Sequence, residues 1–258
     1  MNVIIGDIGN SITKICLVEN RNYKIKKIIY FNSQKILLNN NLKLIFKKII
    51  KKNKIYKIAL FSSVVPKHEM KIKSFLKKKY NIVLKEIKDK KIKKIVKINI
   101  KNKKQVGSDR IANAVGVYKK YKTDSIVLDF GTATTFDVVS KYGIYNGGVI
   151  APGIDLSIKS LSSSADQIPL FALKKQKKTI GKNTIEALRS GFYWGYLGLI
   201  NNIILMIEKE TKKKYKIIFT GGYADLFKTS IIRPFAIDRN ITIKGIIEIF
   251  KENMKYLK

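Results

Sequence analysis

Apolar residues near the start of the chain fall into two short blocks. Residues 3–7 form an apolar run that ends at Asp7, and residues 12–18 form a second run rich in β-branched side chains. Gly9 and Asn10, which favour tight turns, lie between the two runs. This pattern predicts a β-hairpin, with a strand on each side of the turn.

The same pattern returns in the middle of the chain. Residues 125–129 and 134–139 are predicted strands, and Gly131 lies between them. The turns of the two hairpins align, Asp7 with Asp129 and Gly9 with Gly131, and the copies lie about half a chain length apart. This weak internal repeat predicts two lobes, residues 1–108 and 109–258, each containing an Asp-x-Gly hairpin.

Outside the hairpins, the apolar spacing alternates between helical and strand periods. Predicted helices cover residues 42–50, 66–80, 109–121, 184–208 and 246–256, and predicted strands cover residues 57–64 and 217–220. This alternation predicts an α/β fold. Because no stretch resembles a flexible Pro-, Gly- or Ser-rich linker, we expect the lobes to be closely packed, with the functional site between them.

Lysine dominates the polar positions. The 258 residues include 53 Lys and Arg against 18 Asp and Glu, a formal net charge of +35. Such a charge by itself suggests a nucleic acid or another anionic partner. Arginine, however, occupies only five positions, and lysine is mixed with Ile and Asn throughout, as an A+T-rich coding sequence would produce. The composition therefore does not favour a nucleic-acid partner.

Compartment and redox state follow from what the sequence lacks. No apolar run approaches the roughly 20 residues that a bilayer-spanning helix needs, and no basic segment precedes the first apolar run. We expect a cytoplasmic protein with no membrane partner. One cysteine, Cys16, and one histidine, His68, exclude an internal disulfide and a Cys/His zinc site.

The Asp-x-Gly turns carry the first candidate chemistry. Glycine permits close approach of a ligand to the backbone, the Ser11 hydroxyl can donate to a phosphate, and Asp7 can hold Mg²⁺. One isolated copy is also typical of an ordinary hairpin turn, but two copies favour a nucleotide site. Neither a Walker A sequence nor G-x-G-x-x-G occurs, which excludes the commonest phosphate loops.

The segment 107–110 stands at the start of a predicted helix. Asp109 in this position is often a helix cap or first-turn residue. A carboxylate beside an alcohol can also accept its proton during phosphoryl transfer, and Arg110 can orient an anionic group with its planar fork. Both readings of Asp109 stay open on local sequence alone.

Four motifs together strongly resemble the type III pantothenate kinases. They are Asp7-Ile8-Gly9-Asn10-Ser11-Ile12-Thr13-Lys14, Gly107-Ser108-Asp109-Arg110, Asp129-Phe130-Gly131-Thr132 and Gly147-Gly148-Val149-Ile150-Ala151-Pro152-Gly153. Their order and spacing both agree with that family. The likeness continues through residues 180–184 and 220–222 to the closing helix, and so covers nearly the whole chain.

The resemblance implies a fold and a reaction. The fold would be α/β, with two ribonuclease-H-like lobes of the actin-like ATPase superfamily, whose mixed sheets are flanked by helices, in a homodimer. The reaction would be phosphorylation of pantothenate by ATP and Mg²⁺, the first step of coenzyme A biosynthesis. The chain would therefore be a cytoplasmic transferase that binds nucleotide and metal.

The resemblance also assigns roles to residues. Asp7 to Lys14 and Thr132 would bind ATP, and Asp129 would bind the monovalent cation, K⁺ or NH₄⁺. Asp109 would be the proton acceptor, and Gly107, Ser108, Asp109, Arg110 and Thr184 would bind pantothenate.

The sequence departs from the family pattern before Gly107. The family usually carries an aromatic residue followed by Asn-Pro in this stretch, whereas this chain has Ile100, Asn102 and Lys103. The aromatic contact cannot be transferred to this chain. This departure leaves open a kinase of the same fold with another small hydroxy acceptor. The positive charge leaves open a non-catalytic regulator that binds nucleotide or nucleic acid.

Overall fold

The computed structural model describes residues 1–50, 53–228 and 234–255. The chain divides into two compact units. The first unit comprises Met1–Lys122, Gly143–Tyr145 and Asn240–Lys258, and the second comprises Thr123–Tyr142 and Asn146–Arg239. The lobe boundary between residues 108 and 109 stays a prediction.

Eleven strands and seven α-helices make up the described chain. The strands are β1 (Asn2–Ile8), β2 (Ile12–Glu19), β3 (Ile25–Asn32), β4 (Ile55–Ser63), β5 (Val83–Glu86), β6 (Lys97–Ile98), β7 (Ser125–Phe130), β8 (Ala133–Val139), β9 (Ile144–Pro152), β10 (Lys216–Gly221) and β11 (Phe235–Ile237). The helices are α1 (Asn39–Ile50), α2 (Pro66–Tyr80), α3 (Ser108–Tyr121), α4 (Ile154–Ser164), α5 (Thr184–Thr211), α6 (Ala224–Phe227) and α7 (Ile241–Asn253). Short 3₁₀ turns cover Ser33–Leu37 and Lys103–Gln105.

Helix boundaries follow local sequence closely where end signals are strong. Helix α2 begins at Pro66, which lacks the N–H that the first turn leaves unpaired, and ends before Asn81, which adopts the left-handed conformation with φ 52°. Helix α7 begins at Ile241, earlier than the predicted start at residue 246. The predicted end at Tyr256 lies outside the described residues.

The two units repeat one strand order. In the first unit the order is β3-β2-β1-β4-β5, with β2 antiparallel to both β1 and β3, and with β1, β4 and β5 parallel. The other sheet has the order β11-β10-β7-β8-β9-β6, and its strands β9-β8-β7-β10-β11 correspond to that order, with β7 antiparallel to β8 and parallel to β10. This repeat confirms the predicted fold class of two ribonuclease-H-like lobes with mixed sheets and flanking helices.

Each sheet buries an apolar face against helices. In the first unit, Ile4, Ile8, Ile15 and Phe61 pack with apolar residues of α1 and α2. In the second unit, Leu128, Phe136 and Phe219 pack with residues of α5. Strand residues alternate between faces, so Asp7 and Asp129 lie on the face opposite these clusters.

Helices α3 and α7 of the first unit cross at two glycines. A Cβ at Gly245 would collide with the carbonyl oxygen of Ala112, and a Cβ at Gly116 would lie 2.5 Å from the carbonyl oxygen of Ile241. The buried hydroxyl of Thr242 donates to Asn113 at 2.8 Å across the same crossing. Because α3 begins with the segment 108–110, this close packing fixes the position of those residues.

Helix α5 is the longest helix in the described chain. It is long and apolar enough to cross a membrane, and 33% of its most apolar window is buried. The core helices of soluble proteins can have the same length and composition. Its exposed stripe includes Gly191, Gly195 and Gly198, where a Cβ would meet nothing within 4 Å.

The close contact between α3 and α7 predicts that a side chain at Gly245 destabilises the fold. We expect Gly245→Ala to lower the free energy of unfolding by about 3 kcal/mol or more, because the backbones of α3 and α7 must separate. Ser160→Ala is the control, since it also places alanine in a helix, at an exposed position of α4 outside any helix crossing, and should stabilise by less than about 1 kcal/mol. Urea unfolding of both variants measures the difference, and equal effects would contradict the tight crossing.

Candidate active site

The first hairpin ends in an exposed turn next to a buried carboxylate. Asp7 is buried near the end of β1, whereas Asn10, Ser11 and Ile12 are exposed. The N–H of Gly9 donates to the carbonyl of Ile12 at 3.2 Å and closes the turn. The turn therefore presents backbone and side-chain donors to solvent, as a phosphate loop requires.

Ser33, which follows the edge strand β3, holds this turn in place through hydrogen bonds. Its N–H donates to the carbonyl of Ser11 at 2.9 Å, and its hydroxyl donates to the carbonyl of Gly9 at 2.7 Å. The hydroxyls of Ser33 and Thr13 are 2.9 Å apart. Sequence reasoning missed Ser33, because this serine lies outside every predicted strand, helix and motif.

Three neighbouring strands place side chains in one row on the face of Asp7. Asp7 pairs with Lys14 on β2 and with Ser62 on β4. Lys14 was predicted, but Ser62 was not. Ser62 is fully buried, and its hydroxyl has no hydrogen-bond partner among the described residues.

Asp109 occupies the first turn of α3. The N-cap is Gly107, which makes no side-chain cap, and a Cβ there would lie 2.5 Å from Oδ1 of Asp109. That oxygen accepts a hydrogen bond from the N–H of Arg110 at 2.8 Å. Asp109 is thus a first-turn residue, and glycine at 107 leaves room for its carboxylate.

Burial raises the pKa of the Asp109 carboxyl above its ordinary value. The N–H and the charge of Arg110, and more weakly the charge of Lys14, lower the pKa and oppose that effect. A desolvated carboxylate is a stronger proton acceptor than a solvated one. The hairpin of Asp7 and the start of α3 lie close together within the first unit, because Val64 contacts both. Its N–H donates to the carbonyl of Ile8 at 3.1 Å, and its side chain would lie 3.5 Å from a Cβ at Gly107.

Lys88 holds the backbone that leads into this turn, and Glu86 interacts with the side chain of Ser108. The ammonium group of Lys88 donates to the carbonyls of Lys104 at 3.1 Å and Val106 at 2.9 Å. Burial raises the pKa of the Glu86 carboxyl, and an interaction with the Ser108 hydroxyl opposes the rise. Serine at 108 therefore makes an interaction that alanine could not.

Arg110 lies against an aromatic ring from another segment. Its guanidinium carbon is 5.8 Å from the ring centroid of Tyr145, which is almost fully buried. The carbonyl of Tyr145 accepts a hydrogen bond from the N–H of Asn99 at 2.9 Å. The stretch before Gly107, which lacks an aromatic residue of its own, therefore lies beside one that β9 provides.

The second hairpin resembles the first but has a shorter turn. The N–H of Gly131 donates to the carbonyl of Ala133 at 3.1 Å. Thr132 is exposed, and Asp129 is partly buried. A Cβ at Gly153, the N-cap of α4, would collide with the carbonyl oxygen of Thr132, which explains the need for glycine at the end of the fourth motif.

The row around Asp129 corresponds to the row around Asp7. Asp129 pairs with Thr135 on β8 and with Thr220 on β10. Thr220 is fully buried, and within the described chain its hydroxyl finds no hydrogen-bond partner. Gly221 follows with φ 85°, and the N–H of Gly222 donates to the carbonyl of Phe130 at 3.0 Å.

Thr184 lies elsewhere in the second unit, at the start of α5. The side chain of Asn183 caps the helix by accepting from the N–H of Glu186 at 2.9 Å. Thr184 is exposed and lines a groove of about 950 Å³. The other residues of the groove are largely apolar and include Leu188 and Phe192.

The predicted residues thus form three groups. The hairpin from Asp7 to Lys14 lies beside Asp109 in the first unit; Asp129 and Thr132 share the second hairpin; and Thr184 lines the α5 groove. Among the described residues, no group of three His, Cys, Asp or Glu side chains is arranged to hold a metal ion. Any cation held by Asp7 or Asp129 would need hydroxyl, backbone or ligand oxygens as well.

Sequence comparison connects this arrangement to one family. The family model described as type III pantothenate kinase matches residues 3–206. A type III pantothenate kinase of Pelagibacter ubique is 49% identical over 252 residues, covering 95% of this chain and 97% of its own length. One from Paramagnetospirillum magneticum is 37% identical over 195 residues, covering 76% and 75%.

Structural comparison gives the same fold. A crystal structure described as a Baf family transcriptional activator from Campylobacter jejuni has a TM-score of 0.62 at 23% identity, covering 98% of this chain and 100% of its own. The archaeal actin homologue Ta0583 has a TM-score of 0.52 at 12% identity, with 98% and 100% covered. These likenesses concern the fold alone. The match over most of the chain and the near full-length relative lead to one conclusion: the chain belongs to the type III pantothenate kinase family.

Proposed function

We propose that this chain transfers the γ-phosphoryl group of ATP to the primary hydroxyl of pantothenate, the first step of coenzyme A biosynthesis. The observation that carries the proposal is Asp109, a desolvated carboxylate beside the hairpin of Asp7 and Lys14. The hydroxyl oxygen forms a bond to the γ-phosphorus, the bond to the ADP oxygen breaks, and the hydroxyl proton passes to Asp109.

The two hairpins supply the proposed nucleotide contacts. The backbone and side chains of Asp7 to Lys14 face the phosphates, with Ser33 holding the turn in shape, and Thr132 adds a contact from the second hairpin. When bound with ATP, Mg²⁺ neutralises charge on the phosphates. The residues present fit that ion, since Asp7 offers carboxylate oxygens at the end of β1, while the backbone N–H groups of the adjacent turn suit the phosphates.

We assign pantothenate to residues 107–110 and Thr184. Arg110, held against Tyr145, presents a cation suited to the pantothenate carboxylate, and Thr184 presents a hydroxyl for its polar groups. A different small hydroxy acceptor is the alternative that the absent aromatic before Gly107 leaves open. Asp129, a carboxylate beside hydroxyl side chains, is the proposed holder of K⁺ or NH₄⁺.

We further propose a cytoplasmic homodimer formed through α5. The family consists of soluble kinases, yet α5 exposes an apolar stripe with glycines at positions 191, 195 and 198. A second copy of the helix would cover that stripe, and glycines allow close approach of two helix backbones. Nucleic acid plays no part in this function, and the charge of +35 reflects lysine spread over the surface.

The role of Asp109 is tested by Asp109→Asn. We expect ATP consumption that depends on pantothenate, measured with Mg²⁺ and K⁺ present, to fall by about a hundredfold or more, because the base is lost. The melting temperature of the variant should equal or exceed that of the wild type. Burial raises the pKa of Asp109 in the folded state, so ionisation of this carboxyl lowers the stability of the wild type as pH increases, whereas asparagine does not ionise. Wild-type protein that binds ATP but shows no pantothenate-dependent turnover would instead favour another acceptor or a regulator.

The pH dependence of kcat tests the electrostatics of the same group. The base works only when ionised, so activity is lost as pH falls through its raised pKa. Lys14→Met removes a charge that lowers this pKa, and the acidic limb of the profile should move to higher pH at saturating substrates. Lys24→Met, an exposed change of equal charge, should leave the limb in place. An unmoved limb in Lys14→Met would exclude this coupling.

The dimer is tested by Gly195→Trp. Since a Cβ at Gly195 meets nothing within 4 Å, the single chain tolerates a larger side chain there, whereas two packed helices do not. Light scattering should report a dimer for the wild type and a monomer for the variant. Lys78→Trp, an exposed change on α2, should remain dimeric. A monomeric wild type would contradict the proposal.

A further inference from the structure

Internal symmetry picks out one pair of residues to which the sequence motifs assigned no role. Strand β4 stands beside β1 as β10 stands beside β7, and both pairs are parallel. In this register Ser62 is the neighbour of Asp7, and Thr220 is the neighbour of Asp129. The two units therefore place a hydroxyl side chain at the same position relative to their hairpin aspartate.

Both hydroxyls are in the same unusual state. Ser62 and Thr220 have 0% exposure, and no described residue lies within hydrogen-bonding geometry of either hydroxyl. Leaving a buried hydroxyl unpaired costs about 1–3 kcal/mol. Thr134 on the apolar face shares this property, so the indication of a ligand comes from the missing partner combined with the position beside a hairpin aspartate.

The surroundings of the two hydroxyls indicate the missing partner. Each hydroxyl shares a face with its aspartate because the two residues are register partners on adjacent strands, near the turn of the hairpin. Such strands lie about 4.8 Å apart. A carboxylate and a hydroxyl on neighbouring strands offer two converging oxygens. Oxygen ligands of this kind suit hard cations and the water or phosphate oxygens that surround them.

We propose that Ser62 and Thr220 are ligand-binding residues whose hydroxyls become paired when each aspartate holds its cation. Ser62 belongs with Asp7 to the site of the magnesium nucleotide, and Thr220 belongs with Asp129 to the site of the monovalent cation. This inference rests on the proposed function, since it takes the nucleotide and the cation from it. It adds one residue to each site.

A third threonine provides a matched control within the same sheet. Thr134 is also fully buried, and its hydroxyl likewise has no partner in the described part of the chain. It pairs with Phe130 on β7 and therefore lies on the apolar face, away from Asp129. Thr134→Val removes the same group in the same sheet without changing the face of Asp129.

The experiment compares Ser62→Ala, Thr220→Val and Thr134→Val with the wild type. Calorimetric titration with a non-hydrolysable ATP analogue and Mg²⁺ measures nucleotide affinity. Thermal melting over a series of K⁺ concentrations, with choline chloride holding ionic strength constant, measures the cation response. Neither readout depends on pantothenate or on turnover.

We expect the two variants to fail in different assays. Ser62→Ala should weaken nucleotide binding about tenfold, and Thr220→Val should raise the K⁺ concentration for half-maximal stabilisation about tenfold, as for loss of a hydrogen bond to a charged group. Each variant should respond to the other ligand like the wild type. Without ligands, all three should melt no lower than the wild type, because an unpaired buried hydroxyl has been removed.

Other outcomes would overturn the inference. Wild-type responses in both variants would exclude the two hydroxyls from binding while leaving the proposed function intact. Equal losses in both assays, or the same losses in Thr134→Val, would indicate general damage rather than binding. A wild-type protein that responds to neither ligand would overturn the proposed function together with the inference.

Discussion

The parallel pairing of β1 with β4, repeated by β7 with β10, is the constraint on which the candidate site depends. Each pairing extends a hairpin by one strand and sets the register that places a hydroxyl beside the hairpin aspartate. A shift of one residue would move Asp7 or Asp129 to the apolar face, where burial of an unpaired charge is prohibitive. The register is therefore enforced by the apolar clusters on the opposite face.

Glycine provides the second constraint, because several functional segments approach neighbouring atoms too closely for a side chain to fit. Gly245 and Gly116 let α7 press against α3, Gly107 leaves room for the carboxylate of Asp109, and Gly153 meets the second hairpin. These contacts fix the positions of the motif residues. Catalysis by a carboxylate requires a fixed position, since a small displacement of the base lowers the reaction rate.

Acidic side chains are few in this lysine-rich chain. Of its 18 acidic residues, Asp7, Asp109 and Asp129 stand at the turns and helix start where the family motifs lie. Lys14 is distinguished from the surface lysines by its effect on the pKa of Asp109. The net charge of +35 does not indicate a function. The position of Lys14 does, because its charge lowers the pKa of the proposed base Asp109.

The sequence by itself determined the hairpins, the limits of α2, the internal repeat and the motif residues, because turn chemistry, capping and apolar period act over a few neighbouring positions. It assigned no role to Ser33, Ser62, Tyr145 and Thr220, since these residues acquire a role only through strand pairing or packing with distant segments. It also missed β9 and α4 and began α7 too late. Tertiary structure alone decided which face each strand buried, and hence which hydroxyls lie beside Asp7 and Asp129, because register is set by contacts between segments far apart in the chain.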